Sequence, residues 1–407
     1  MKTISVLGLG YVGFNVARLC AESGYKVYGI DVDKKKIDAI NESPDIIATD
    51  NPSVIKDSDV IIICVGTPIN SRREPDLEAV KSASRNISKY LQKGQLVIIE
   101  SSLYPGVTEN IIKPVLEESD LKAGKDFLLA YCPERVDPGN KKWTIKNIPR
   151  VLGGINDEST RKALEFYKSI LDANIHTVSS IKTVELIKIV ENSFRDVNIA
   201  FVNELAKSCA KQNIDVMEVI EGASTKPFGF MPHKPGCGVG GLCIPVSPYY
   251  IIESGRQVDF EHSFLKLARD INDSMPSYTV SLLIDALNKI GKCVKNSKIA
   301  ILGVSYKAGI GDLKGSPYFK ILRELAKRGA AASIFDPYLP EESTVKTIED
   351  ALEGADCVLL VTEHPEFKQI PLIKFKNNGI KIIIDGRNIY NKKEAEELGI
   401  IYKGIGR

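Results

Sequence analysis

Eight cysteines are spread along the sequence, and one sits where a cysteine could act as a nucleophile. Cys243 lies in the run Lys234-Pro235-Gly236-Cys237-Gly238-Val239-Gly240-Gly241-Leu242-Cys243-Ile244-Pro245-Val246-Ser247-Pro248-Tyr249-Tyr250. Glycines at 236, 238, 240 and 241 let the backbone take positive φ and lie flat against a ligand. The prolines that follow stiffen the exit. A glycine cradle ending in a thiol suits a small substrate held by main chain beside a nucleophile. The other reading is a surface loop that happens to hold a cysteine, and the nucleotide-fold halves on either side weigh against it. Most of the other cysteines read as small core hydrophobes. None has CxxC spacing, and there are only four histidines, so we expect neither a zinc or other metal site nor a disulfide framework.

A second chemical pattern opens the chain. An apolar strand at residues 4–7 meets Gly8-Leu9-Gly10-Tyr11-Val12-Gly13. A helix-like segment then runs to Gly24, and a strand at 26–30 ends at Asp31. This is GxGxxG in its required context, with an acid 18 residues past the last glycine. The glycines allow the tight turn and the approach of a pyrophosphate, the helix start offers amide donors, and Asp31 would bind ribose hydroxyls. A carboxylate repels a 2′-phosphate, so the pattern favours NAD over NADP.

The elements that must position these groups follow an α/β rhythm. Strands are expected at 45–49, 60–64, 96–100, 127–131, 150–153 and 175–178, with helices at 76–90, 108–118 and 158–170. The nearly continuous apolar strands are those of a buried, doubly wound parallel sheet. Polar loops follow three of them: Val65-Gly66-Thr67-Pro68, Glu100 through Gly106, and Cys132-Pro133-Glu134-Arg135. Ligands sit beyond the carboxyl ends of such strands. Ser102 and Glu134 are candidates there, or ordinary turn residues.

From 183 to about 212 neither proline nor glycine occurs, which reads as one long helix. It is apolar on several faces, so one face should bury against another subunit. Lys188 and Asn192 share a face, as a solvated stripe or as a site. Helices are expected at 260–272 and 280–290, separated at Met275-Pro276. A second α/β half follows, with strands at 298–302, 332–335, 357–362 and 381–384 and a helix at 316–328. We therefore divide the chain into an NAD-binding domain (1–178), a central helical dimerisation domain carrying the Cys243 loop (179–290) and a smaller nucleotide-fold half (291–407).

Bulk properties set limits on partners. Lys plus Arg number 54 and Asp plus Glu 52, so no basic surplus points to nucleic acid. The N-terminus enters a strand without a signal-peptide pattern, and no apolar run approaches a membrane span. A cytoplasmic protein is expected.

Taken together, the motifs resemble the UDP-glucose/GDP-mannose dehydrogenase family over nearly the whole chain. The matching segments include Gly8 to Gly13, Val65 to Pro68, Glu100-Ser101-Ser102 and Cys132 to Arg135. They continue with Lys188 and Asn192, Asn203 to Ala206, Lys226 to Pro232, the Cys243 loop, Gly303 to Lys307, and Asp385 with Arg387-Asn388. The Pro227 to Pro232 run leans toward the UDP-N-acetylhexosamine branch. The resemblance implies an N-terminal Rossmann-like NAD domain, a central helical domain and a C-terminal Rossmann-like UDP-sugar domain. It also implies a place in nucleotide-sugar metabolism and polysaccharide biosynthesis; the apolar faces of the long helix lead us to expect a homodimer formed through it.

The implied reaction is a four-electron oxidation of C6 of a UDP-sugar to the uronic acid, with NAD as cofactor. Cys243 matches the nucleophile, Lys188 and Asn192 the oxyanion-stabilising pair, and Glu134 the water-activating acid. Ser102 keeps a catalytic hydroxyl where threonine is usual. Cofactor contacts are implied for Gly8, Gly10, Tyr11, Val12, Gly13, Asp31, Thr67, Pro68 and Ser102. Substrate contacts are implied for Glu134, Arg135, Lys188, Asn192, Gly238, Gly240, Gly241 and Lys307. Four departures stand out. Leu242 replaces a histidine, Ser247 an aspartate and Cys237 a proline, and Lys314-Gly315 stands for Arg-Glu. Two alternatives carry part of the pattern: a two-electron hydroxyacid-type dehydrogenase, and a nucleotide-sugar-binding paralogue with a weakened site.

Overall fold

A computed structural model describes residues 2–43 and 45–407. The chain folds as two compact units. One comprises the residues up to Glu191 with Tyr249–Glu261, and the other Asn192–Pro248 with His262–Arg407. The Rossmann-like α/β architecture read from the sequence is present in both.

The first unit is built on an eight-stranded sheet in the order β3-β2-β1-β4-β5-β6-β7-β8. The strands are β1 (Thr3–Leu7), β2 (Lys26–Ile30), β3 (Ile47–Thr49), β4 (Val60–Ile63), β5 (Leu96–Ile99), β6 (Leu128–Tyr131), β7 (Arg150–Gly154) and β8 (Ile175–Thr177). Every residue of β4 and β5 is buried, as strands covered on both faces require. Val16, Ala17 and Cys20 of the helix Tyr11–Glu22 pack on one core with Phe166, Tyr167 and Ile170 of the helix Asp157–Ile170.

The sheet is not parallel throughout, as the strand pattern had led us to expect. β7 runs antiparallel to β6, pairing Gly154 with Ala130, and β8 then runs parallel to β7. A parallel neighbour requires a crossover, usually a helix. The link from Cys132 to Pro149 contains turns and no helix, so the chain returns antiparallel. The expected helix at 108–118 is also broken, into a π-helical turn (Thr108–Ile112), an α-helical turn (Lys113–Leu116) and a 3-10 turn (Glu117–Ser119).

The second unit holds a fully parallel five-stranded sheet, β10-β9-β11-β12-β13. Its strands are β9 (Lys298–Leu302), β10 (Ala331–Phe335), β11 (Cys357–Leu360), β12 (Ile382–Asp385) and β13 (Ile401–Gly404). The long helix runs from Ile181 to Lys211, and the boundary between the units falls within it. Our expectation of two helices broken at Pro276 is wrong: one helix, Ser263–Lys289, passes through that proline. Proline lacks an N–H, so the helix gives up one ladder bond there. Asn272, Met275, Pro276, Thr279 and Val280 are buried, and that packing favours continuation of the helix past the missing bond. Among the described residues, no helix is long and apolar enough to cross a membrane.

Candidate active site

The glycine turn after β1 divides its work among its residues. Gly8 has φ +92°, and a Cβ there would lie 2.9 Å from the Cys64 carbonyl. A Cβ on Gly13 would lie 1.8 Å from the Gly8 oxygen, so this glycine lets helix and strand pack. Gly10, which caps the helix Tyr11–Glu22, has no atom within 4 Å of that position. The open space at Gly10, in front of the amides of Tyr11, Val12 and Gly13, is what a pyrophosphate requires.

Asp31 is only 8% exposed. Its carboxylate accepts the Leu9 amide at 2.7 Å and the Asp33 amide at 3.0 Å, with Lys36 Nζ at 3.7 Å. The acid thus secures the turn from behind. Each oxygen keeps a lone pair for a ribose hydroxyl. These residues fit NAD.

The polar loops after β4, β5 and β6 are tied together. Thr67 Oγ1 donates to the Ser102 carbonyl at 2.8 Å, and Ser101 Oγ donates to the Val65 carbonyl at 2.7 Å. The buried Tyr131 phenol donates to the Ser101 carbonyl at 2.9 Å and accepts the Leu103 amide at 3.1 Å. Tyr250 donates to the Thr67 carbonyl at 2.6 Å. Thr67, its neighbour Pro68 and Ser102 are therefore held on one framework.

Glu134 is buried and firmly held. One oxygen accepts the amides of Arg135 at 2.7 Å and Val136 at 2.6 Å, and the other forms an ion pair with Arg150 Nη2. Arg150 is 1% exposed and also lies 3.7 Å from Glu100, whose other oxygen accepts the Tyr167 hydroxyl at 2.6 Å. Burial pushes the Glu100 carboxyl above the usual range, with Arg150 opposing. Burial disfavours the Arg150 cation, and the two carboxylates more than offset this. Sequence reasoning missed Arg150, Glu100 and Tyr167 as parts of the site. The available signal was an arginine opening an otherwise buried strand, β7. Arg135 is engaged elsewhere. Its guanidinium grips Glu191 at 3.2 and 2.5 Å and donates to the Pro149 carbonyl at 3.0 Å.

The long helix contributes three polar residues at helical spacing. Glu185 accepts the Gly106 amide at 2.6 Å and the Thr108 amide at 2.9 Å, so it holds the turn after β5. Lys188, half-buried, is one turn further on. Asn192 follows, and its amide donates to Ser247 Oγ at 3.0 Å.

In the second unit the Cys243 thiol is exposed, while Cys237 is buried. The Cys237 amide donates to the Gly386 carbonyl at 3.1 Å and Sγ lies 3.5 Å from the Val361 carbonyl. Burial pushes that thiol up, away from the reactive thiolate. Ser247 opens the helix Ser247–Arg256 and donates to the Cys243 carbonyl at 2.8 Å.

The cradle glycines are closed in by protein. A Cβ on Gly240 would meet Tyr306 Cβ at 2.5 Å, one on Gly238 would meet Pro317 at 3.0 Å, and one on Gly241 would meet the Tyr306 ring at 3.0 Å. Gly241 N–H donates to the Lys314 carbonyl at 2.8 Å. The absence of side chains thus seats the cradle against the loop that carries Lys307. A buried chain of amides fixes its start: Gly236 N–H donates to Asn203 at 3.0 Å, Asn203 to Asn272 and Asn272 to Asp196, both at 2.9 Å.

The turn after β9 repeats the logic of the turn after β1. Gly303 has φ +82°, and Asp336, just past β10, accepts the amides of Val304 at 2.8 Å and Ser305 at 3.0 Å. Its carboxyl lies well below the usual range: burial opposes the charge, but the His364 hydrogen bond and the two amides outweigh it. His364 Nε2 donates to Asp336 at 3.1 Å, and Nδ1 accepts the Gly309 amide at 3.0 Å. Here the acid is saturated by protein donors and braces the Lys307 loop.

Comparison with known proteins agrees with this arrangement. Residues 2–48 and 45–171 match the NAD binding domain of the UDP-glucose/GDP-mannose dehydrogenase family, 182–274 its central domain and 300–392 its UDP binding domain. The chain is 37% identical to the UDP-N-acetyl-D-mannosamine dehydrogenase of Pyrococcus horikoshii over 99% of both chains. It is 35% identical to the UDP-N-acetyl-D-glucosamine 6-dehydrogenase of Pseudomonas aeruginosa, over 90% of this chain and 92% of that one. A solved structure of UDP-D-ManNAc dehydrogenase from Pyrococcus horikoshii superimposes with a TM-score of 0.93 at 36% identity, covering 100% of this chain and 99% of the other. With all three domains matched in order along one chain, the protein belongs to the UDP-glucose/GDP-mannose dehydrogenase family.

Proposed function

We propose that this chain is an NAD-dependent UDP-sugar 6-dehydrogenase that oxidises the C6 alcohol of a UDP-N-acetylhexosamine to the carboxylate. The observation that carries the reading is the exposed Cys243 thiol at the end of a braced glycine cradle. It sits in a chain that also holds the family's NAD-binding and UDP-binding domains. A two-electron dehydrogenase has no need of that thiol.

NAD, when bound, accepts the hydride that leaves C6 in each of two oxidations. The chain's residues do the rest. Lys188 and Asn192 stabilise the developing oxyanion. Cys243 adds to the aldehyde as a thiolate, giving a thiohemiacetal that still has a hydride to lose. The resulting thioester is hydrolysed by water oriented by Glu134, which releases the carboxylate and the thiol. Ser102 and Thr67, tied to one another, would hold the cofactor, and Lys307 with the cradle main chain would hold the nucleotide-sugar. The N-acetylhexosamine class rests on the activities for which the relatives above are named and on the Pro227 to Pro232 run.

The working form is a homodimer in the cytoplasm. Leu186, Val190, Phe194 and Phe201 leave an apolar stripe exposed along the long helix, too large for a solvated connector. A panel of UDP-sugars incubated with NAD tests the function. Two NADH and one carboxylate per sugar are expected, and a single NADH with accumulating aldehyde would overturn the four-electron reading.

A further inference from the structure

We propose that the second unit carries a separate site for a small phosphorylated metabolite, in a cavity of about 610 Å³ lined by Lys289, Lys392 and Lys403. None of the lining residues belongs to the Cys243 cradle or the Lys307 loop. The cavity is formed by the ends of the long helix and of the helix Ser263–Lys289, together with β13 and the segment before it. Its volume falls within the range of small-molecule sites, roughly 300–1,000 Å³.

The charge arrangement points to the ligand. Three lysines from three different elements border one space. Among the described residues, no ion pair within 4 Å engages any of them. Arg407 lines the same cavity but is already committed, holding Asp215 at 2.8 Å with its guanidinium over the Tyr402 ring. Glu218 and Glu396 are the remaining carboxylates in the wall, and Asp285 lies near Lys403. Burial lowers the affinity of Lys403 for its proton, and the like charges of Lys289 and Lys392 lower it further. A multivalent anion placed between the three lysines would offset that like-charge repulsion. Ammonium groups bind phosphate as point charges and need no planar fork. Ile214, Leu282 and Ile401 supply an apolar wall for the body of the ligand.

The test is calorimetric titration of the full chain with inorganic pyrophosphate, and separately with ADP, in the presence of saturating UDP and NADH. One pyrophosphate per chain is expected. Lys289→Met combined with Lys403→Met should weaken it at least tenfold, while turnover in its absence is unchanged. Should the double variant fail to fold, Lys392→Gln at the half-buried start of a short helix should weaken binding several-fold. ADP binding with the same sensitivity assigns the site to nucleotides, whereas pyrophosphate alone assigns it to simple phosphates. No pyrophosphate binding, or binding equal in wild type and variants, would overturn the proposal.

Discussion

The Ser247 hydroxyl accepts the Asn192 amide at 3.0 Å and donates to the Cys243 carbonyl at 2.8 Å. A residue that stands where the family pattern has aspartate thus joins the long helix to the Cys243 loop. Ser247 is 4% exposed and opens a helix, so an anion here would meet both the Asn192 donor and the positive helix end. Ser247→Asp should raise turnover by roughly a hundredfold, the low end of an acid–base contribution, with little change in UDP-sugar affinity. Ser247→Ala should lower turnover by releasing both contacts. Steady-state rates and UDP-sugar dissociation constants on the three proteins check this. A fall in turnover for Ser247→Asp would mean that the pocket is rebuilt around serine.

The two cradle cysteines should separate cleanly. Cys243→Ser is expected to stop carboxylate formation, with the aldehyde as the most oxidised product. Cys237→Ala should keep both oxidations and lose about 1 kcal/mol or more of stability, as deletion of a packed buried atom does. A proline at 237, as in the family pattern, would forfeit the amide bond to Gly386. Quantifying uronic acid and the unfolding midpoint for each variant distinguishes nucleophile from packing residue.

The dinucleotide glycines differ in what an added methyl group meets. Gly10→Ala should leave the melting temperature nearly unchanged and raise the KM for NAD, because the space there is empty of protein. Gly13→Ala should instead unfold or strongly destabilise the first unit, since its Cβ would fall on the Gly8 carbonyl. Wild type should prefer NAD to NADP, because Asp31 repels a 2′-phosphate. Equal turnover with NADP would contradict that assignment.

Glu185 predicts a pH dependence of stability. Burial pushes its carboxyl from 4.5 up to about 7, with the hydrogen bonds from Thr108 and Gly106 opposing. The folded chain therefore holds this proton more tightly than the unfolded chain. Its contribution to stability is fully present below pH ~4.5 and is lost as pH rises through about 7. Melting temperature against pH should fall less steeply across that interval in Glu185→Gln than in wild type. Identical slopes would show that Glu185 titrates normally.

Arg150 should matter more than any exposed charge in the first unit. Arg150→Met leaves Glu134 and Glu100 buried without their cation, and breaking such a pair costs about 3–5 kcal/mol. If the unit survives, turnover should fall with little change in KM, because Glu134 loses the contact that holds its second oxygen. Arg150→Lys should recover part of the stability.

The apolar stripe on the long helix sets the last expectation. Phe194→Glu should convert a dimer to monomer in sedimentation, while a wild-type monomer at micromolar concentration would refute the assembly.

Much of this protein could be read from local rules. A glycine turn between a strand and a helix, an acid at the end of the next strand and buried apolar strands are patterns of neighbouring residues. They identified Gly8 to Gly13, Asp31, the second α/β half and the Cys243 cradle. Contacts between residues distant in the chain had no such pattern. Arg150 reaches Glu134 and Glu100 only because β7 returns antiparallel beside β6. Ser247 reads as the loss of a charge until its hydroxyl is found between Asn192 and Cys243. Pro276 argues locally for a break, yet burial on the helix Ser263–Lys289 outweighs one missing backbone bond. Sequence by itself determined the α/β rhythm of the two nucleotide-fold halves and which residue types the chemistry has available. Tertiary structure decided what each buried polar group is paired with, because burying an unpaired one costs more than local propensity can offset.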